Sequence, residues 1–507
     1  MAAAALPLAD DVSTGFDGFL ERERAKDLLR FTTAGSVDDG KSTLIGRLLY
    51  DSRSVYDDQL ESVTKASAGR NAGAIDFSLL TDGLRAEREQ GITIDVAYRY
   101  FATPRRKFII ADTPGHEQYT RNMVTGASTA ELAIVLVDAR KGVLTQSRRH
   151  AYIAGLLGIE RLVVAVNKMD LVGYAEPVFR QIETAFREIL RPFPNIEPYF
   201  VPVSALAGDN IVTPSRHMPW FHGPSLLEHL ETVSVGDRTR HAAFRFPVQR
   251  VVRPNQEFRG YAGTIASGNI RRGDPVTVLP SGRQTAIARI VTFDGDLEQA
   301  DAGQSVTLTL EQEIDLSRGD MIVAPGELPF KAHAMSAMLV WLHEKPAEVG
   351  KRYRLKHAVR QDWATLRQVK HRVNINTFEH EPRQSLEMNA IGLVTIDTAR
   401  ALCFDSYAAN RLTGSFILID AATNATVAAG MIVGPAEEST VDPLAGVSWR
   451  VEGGALVLRS EQGFGSKAAG SSELLPLEDP EALDALRHLL RRLQIDPFEA
   501  SESDWEI

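Results

Sequence analysis

Gly35-Ser36-Val37-Asp38-Asp39-Gly40-Lys41-Ser42 separates an apolar-edged run, Leu28–Ala34, from a helical run, Leu44–Tyr50. Strand, glycine loop, helix is the context that a phosphate-binding loop requires. The glycines let successive backbone N–H groups turn inward around an anion, and the following helix adds its positive end. In such a loop Lys41 reaches the β/γ-phosphates, the Ser42 hydroxyl ligates Mg²⁺, and Thr43 completes the set of loop residues near the nucleotide. The pattern also arises by chance in Gly-rich loops, but here further motifs follow it in order.

Residues 108–117 read Phe-Ile-Ile-Ala-Asp-Thr-Pro-Gly-His-Glu. An apolar strand delivers Asp112 to its C-terminal end, where a carboxylate holds Mg²⁺ through water. Thr113, Pro114, Gly115 and His116 follow, and Gly115 can offer its N–H to the γ-phosphate because no side chain blocks the approach. Residues 162–170 read Leu-Val-Val-Ala-Val-Asn-Lys-Met-Asp, a second buried strand ending in Asn167-Lys168-Met169-Asp170. A carboxylate at Asp170 accepts the paired N–H donors of guanine. Adenine has no such pair and would leave it unpartnered, at a cost of several kcal/mol. Asp170 therefore selects GTP over ATP, Asn167 braces the phosphate loop, and the Lys168 stem lies over the base. Ser204-Ala205, after the strand Phe200–Val203, supplies the last base contact. Between the phosphate loop and Asp112, Gln90-Gly91-Ile92-Thr93-Ile94 offers Thr93 as a second hydroxyl ligand for Mg²⁺ and a sensor of the γ-phosphate.

Together these residues resemble the translation-factor class of GTPases, with Gly91–Ile94 and Asp112–His116 as its marks. Elongation factors carry His where this chain has Ser36, and His or Ala where it has Asp39. The run Gly35–Leu49 resembles instead the large, GTP-hydrolysing subunits of bacterial sulfate adenylyltransferases. Leu80–Glu89, His217-Met-Pro-Trp220 and Asn410-Arg-Leu-Thr-Gly-Ser-Phe-Ile-Leu-Ile-Asp420 support this, over about Phe31 to Met431. The resemblance implies GTP and Mg²⁺ as cofactors and gives His116 the role of orienting the attacking water, beside an apolar gate of Val37 and Ile92. It makes Lys41, Thr93 and His116 the catalytic set. It also implies a separate small subunit that binds ATP and sulfate and forms adenylyl sulfate. The main alternative is an elongation- or release-factor-like GTPase. A nucleotide-gated scaffold without hydrolysis is disfavoured by the presence of both Thr93 and His116.

The resemblance and the pattern together predict a multidomain chain, α/β then all-β. A doubly wound, mostly parallel GTPase sheet is followed by two small β-barrels in the elongation-factor plan. The expected boundaries are an N-terminal extension at 1–30, the GTP-binding domain at 31–235, barrels at 241–327 and 332–437, and a C-terminal extension at 438–507. Strand-like runs punctuated by Gly, Pro and Asp begin after Ala242: Phe246–Val252, Tyr261–Ser267, Pro275–Leu279, Thr285–Phe293 and Ser305–Leu310. In the second set Val373–Asn376, Ile391–Ile396 and Ser415–Ile419 are clearest. The extension is expected to hold one amphipathic helix, Pro480–Leu493. Its Gly463-Phe-Gly-Ser-Lys467 lacks the spacing of a second phosphate loop, so no fused kinase is expected. The net charge of −10 argues against a nucleic-acid partner. No 18-residue apolar run suggests a membrane span, and a lone cysteine, Cys403, fits a reducing cytoplasm.

Overall fold

A computed structural model describes residues 26–52, 64, 77, 96–115, 120–235, 242–255, 258–375 and 377–436, with the strands of 447–476. Thr93 with Gln90–Ile94, His116, Leu80–Glu89, Gly463–Lys467 and the helix expected at Pro480–Leu493 lie outside the described residues. The chain divides into two compact units, Met1–Pro435 and Ala436–Ile507.

The first unit opens with a six-stranded sheet in the order β2-β3-β1-β4-β5-β6. Its strands are β1 (Asp27–Ala34), β2 (Ala97–Ala102), β3 (Arg106–Asp112), β4 (Leu132–Asp138), β5 (Arg161–Asn167) and β6 (Glu197–Pro202). Only β2 runs antiparallel, against β3. All seven residues of β4 are buried, as are six of β5. Such continuous apolar runs belong to strands covered by helices on both faces. The helices are α1 (Lys41–Asp51), α2 (Thr120–Ala127), α3 (Thr145–Leu156), α4 (Glu176–Leu190) and α5 (Leu226–Thr232). α4 buries Phe179, Ile182, Phe186 and Ile189 at helical spacing. Ser225 caps α5 by accepting from Glu228 N, the start of a Ser-x-x-Glu box.

β7 (Arg245–Pro247), β8 (Arg250–Val252), β9 (Gly260–Thr264), β11 (Pro275–Leu279), β12 (Arg283–Thr292), β13 (Gly295–Leu297), β15 (Ser305–Leu310) and β16 (Met321–Val323) form an eight-stranded antiparallel sheet along β7-β16-β11-β12-β15-β9-β8 with β13 on β12, while β10 (Asn269–Arg271) pairs with β14 (Gln299–Asp301). Its outer strands β7 (Arg245–Pro247) and β8 (Arg250–Val252) adjoin in sequence, which curls the sheet on itself. The run read as one strand, Phe246–Val252, is thus two, broken at Val248-Gln249. β17 (Phe330–Trp341), β18 (Arg352–His357), β19 (Arg360–Val373), β20 (His380–Glu381), β21 (Ile391–Phe404), β22 (Ser415–Ile419) and β23 (Thr426–Pro435) form the next sheet in the order β18-β22-β23-β17-β21-β19-β20, and an added β18–β19 pairing closes a barrel. Here Val373 ends β19 (Arg360–Val373), so Val373–Asn376 is not a strand: Asn374 and Ile375 leave the ladder, and Asn376 lies outside the described residues. The Ile391 strand is longer than expected, running to Phe404 as β21. Cys403 sits on β21, half-buried, and burial pushes its thiol up. One apolar cluster joins α3 and β4 to Val340, Val373, Ile391 and Met431 of this second barrel, and Tyr152 stacks on Phe378 at 5.5 Å.

The second unit holds three antiparallel strands, β24 (Val447–Glu452), β25 (Ala455–Ser460) and β26 (Ser472–Pro476). The sequence reading expected only a helix there. The alternation Val447-Ser-Trp-Arg-Val-Glu452 was the missed signal.

Candidate functional site

The site lies at the C-terminal ends of β1, β3, β4 and β5, where doubly wound sheets bind ligands. The phosphate loop closes on itself through Asp39, whose carboxylate accepts from Ser36 N at 2.6 Å. Asp38 takes positive φ (70°) and Gly40, the N-cap of α1, takes 92°. At Gly40 a Cβ would also stand 2.5 Å from Asn167 Nδ2, so only glycine serves both demands. Lys41 Nζ donates to the carbonyls of Gly35 (2.8 Å) and Ser36 (3.1 Å), bridging its own loop. Burial lowers its pKa, opposed by the nearby Asp112 charge. Burial raises that of Asp39, opposed by the Ser36 N–H. Ser42 and Thr43 stand in the first turn of α1, and Val37 is exposed.

Asp112 ends β3 beside Thr33, which donates to it at 3.0 Å, and Thr113 donates back to Thr33 O at 2.5 Å. Pro114 and Gly115 then meet the phosphate loop. A Cβ on Gly115 would lie 2.4 Å from both Gly35 O and Lys41 Nζ. His116 continues from this contact.

The base side is a second braced loop. Asn167 Nδ2 donates to Asp39 O at 2.8 Å, and Asn167 Oδ1 accepts from Ala205 N at 2.9 Å. One buried amide thereby fastens the phosphate loop to the Ser204-Ala205 turn. Ser204 Oγ donates to Asp170 Oδ1 at 2.7 Å, aiming that carboxylate. Met169 buries its side chain in the core, and its N–H bonds Val203 O. Lys168 donates to Asp38 O and pairs with Asp138 at 3.1 Å.

Asp138 was not foreseen. It ends β4, buried, gripped by Arg140 (Nη2 to Oδ2, 2.7 Å) and by Lys168. Burial alone would raise its pKa, but these hydrogen bonds outweigh burial and hold it well below the usual carboxylate range. An apolar strand ending in Asp, as at Asp112, was the available signal. Gln146 and His150 on α3 were also missed. Gln146 Nε2 reaches Gly115 O at 3.4 Å. Burial, aided by the Lys41 charge, pushes His150 down to about 3, so it stays neutral at physiological pH. The His217–Trp220 stretch supports the base loops from behind. His217 stacks on Tyr174 at 4.7 Å, and Trp220 Nε1 donates to Tyr174 O at 3.1 Å.

We propose that nucleotide choice rests on Asp170. Asp170→Asn is expected to move preference from GTP toward xanthosine triphosphate, because an amide pairs with the xanthine carbonyl. The change in binding is expected to be a few kcal/mol. Fluorescent-nucleotide titration checks it, and equal GTP affinity in mutant and wild type counts against the assignment.

The sheet, the braced loops and the barrels define a GTPase of the elongation-factor kind. Residues 26–235 match the elongation factor Tu GTP-binding domain, and 334–433 match the GTP-eEF1A C-terminal domain-like family. Sulfate adenylyltransferase subunit 1 of Shewanella oneidensis is 54% identical over 83% of this chain and 88% of its own length. That of Saccharophagus degradans is 50% identical over 89% and 96%. The bifunctional enzyme NodQ of a Rhizobium species is 55% identical over 83% of this chain, which spans 65% of NodQ. The chain belongs to the sulfate adenylyltransferase subunit 1 family. Among the described residues no helix is long and apolar enough to cross a membrane.

Proposed function

We propose that this chain hydrolyses GTP in the cytoplasm to drive adenylyl sulfate formation on a separate small subunit that binds ATP and sulfate. Sulfate is a feeble nucleophile, and the sulfate–phosphate anhydride is high in energy, so the equilibrium lies far toward ATP and sulfate. Consuming GTP pulls it toward adenylyl sulfate and pyrophosphate. The observation that carries this reading is the Asn167 brace, which builds one guanine-nucleotide site in a chain of this family.

Lys41 and the loop N–H groups hold the β/γ-phosphates, and Asp170, aimed by Ser204, reads guanine. Ser42 and Asp112, with Thr93 from the sequence motif, are oxygen donors of the kind that would hold Mg²⁺. The ion would supply positive charge to offset that developing on the phosphate oxygens. His116 orients the attacking water, and the γ-phosphate itself takes the proton.

With a small-subunit partner, ATP and sulfate present, GTP is expected to raise adenylyl sulfate well above its GTP-free level. A non-hydrolysable analogue is expected to speed the approach at most. A ligand that is not consumed supplies no net free energy to an uphill reaction. Pyrophosphate release and product ratio are the readouts. A yield indifferent to GTP would overturn the proposal in favour of a translation-factor-like GTPase.

A further inference from the structure

The stretch Asn410–Asp420 lies outside the GTPase domain. Its first residues belong to a loop, Asp405–Gly414, that touches all three domains of the first unit. Arg411 Nη1 donates to Ala130 O at 3.2 Å, and Arg411 Nη2 donates to Gly158 O. Asn410 Nδ2 donates to Ser267 Oγ of the first barrel at 2.8 Å. Asp405 receives a two-pronged bond from Arg245 of the first barrel, both contacts at 2.9 Å, and also accepts from Thr413 Oγ1. The loop admits no side chain at Gly414, where a Cβ would stand 2.5 Å from Tyr407 backbone atoms.

The two carbonyls that Arg411 grips are not arbitrary. Ala130 closes the turn after α2, the helix that starts four residues beyond His116. Gly158 closes the turn after α3, whose Gln146 touches Gly115 O. α3 meets Gly115 at its start, and both helices end at one guanidinium. A planar fork bonded to two carbonyls senses their relative displacement, which a single-point cation would not.

We propose that Arg411 is a positioning residue that transmits the nucleotide state from α2 and α3 to both barrels, with Asn410 and Asp405 relaying it to the first. This rests on the proposed GTP cycle, and on the partner subunit only for its last readout.

Spin labels at Glu188→Cys on α4 and Asp294→Cys in the first barrel, in a Cys403→Ser background, report the interdomain distance in the full chain. The distance distribution is expected to shift between GDP and a non-hydrolysable GTP analogue. Arg411→Gln is expected to abolish that shift while nucleotide affinity stays within about threefold, since Arg411 touches no nucleotide-binding group. Tyr407→Phe, which removes the neighbouring 3.2 Å bond to Leu157 O, is expected to keep the shift. If Arg411→Gln does not fold, Ser267→Ala cuts the relay to the first barrel and is expected to reduce the shift. In the complex, Arg411→Gln is expected to lower GTP stimulation of adenylyl sulfate formation roughly tenfold or more, a typical coupling free energy. A full shift in Arg411→Gln, or none in the wild type, overturns the proposal. Absence of GTP-stimulated product in the wild-type complex instead overturns the functional reading, and the distance measurement still decides the role of Arg411.

Discussion

Asn167→Ala is expected to weaken GTP binding by roughly two orders of magnitude and to lower the melting temperature by several degrees. The side chain is 2% exposed and satisfies two backbone groups on different loops, Asp39 O and Ala205 N. Alanine leaves both without their partner, at about 1–3 kcal/mol each. Part of that cost falls on folding, because both bonds are made within the chain itself. The remainder falls on binding, because the phosphate loop and the base turn lose their fixed separation. Asn167→Asp is expected to fare no better. It can still accept from Ala205 N, but it turns a carboxylate oxygen toward the Asp39 carbonyl. Titration with a fluorescent GDP and scanning calorimetry separate the two effects. Wild-type affinity in Asn167→Ala would show that the loops hold their spacing without the amide.

The half of that brace that reaches the phosphate loop was legible in advance, because Asn167 stands in a motif that declares itself; the bond from Ala205 N was not. Strand β5 was equally plain, since a run such as Leu162–Val166 has nowhere to go but the middle of a parallel sheet. Asp138 was harder. It binds no motif residue that sequence singles out except Lys168, and its second partner, Arg140, is a local one. In the barrels, strand existence was readable and strand ends were not. The Phe246–Val252 run is apolar but for Gln249 and Arg250, and Val248 N and Gln249 N bond Asp320 O and Ala262 O across the sheet where the ladder breaks. The Asn410 stretch stood out as a resemblance without a purpose. Its contacts join residues more than 250 positions apart, as from Arg411 to Ala130 and Gly158, and no local pattern encodes such a pairing. Asp39 falls between these cases: the sequence marks it as unusual, and only the 2.6 Å bond to Ser36 N shows that it shapes the loop.

His116→Ala is expected to leave GTP affinity within a few fold and to cut turnover by roughly 10²-fold or more, the cost of losing a group that positions the attacking water. The preceding residue gives the reason. Gly115 lies against Gly35 and Lys41 of the phosphate loop, with its carbonyl 3.4 Å from Gln146 Nε2, and His116 is the next residue in the chain. In the proposed site, binding draws on Lys41, Asn167 and Asp170. Orientation and proton abstraction then make different demands. If His116 only orients water, His116→Gln retains a donor and an acceptor and recovers part of the rate. Its rate is then flat with pH where imidazole titrates. If His116 is the base, glutamine is as inactive as alanine, and the wild-type rate falls as pH drops through the imidazole pKa. Single-turnover hydrolysis of both variants between pH 5.5 and 8 (about one unit either side of an ordinary histidine) separates the two. An unchanged rate in His116→Ala would mean that another residue holds the water. Gln146, which already touches the Gly115 carbonyl, is the first to test in that event.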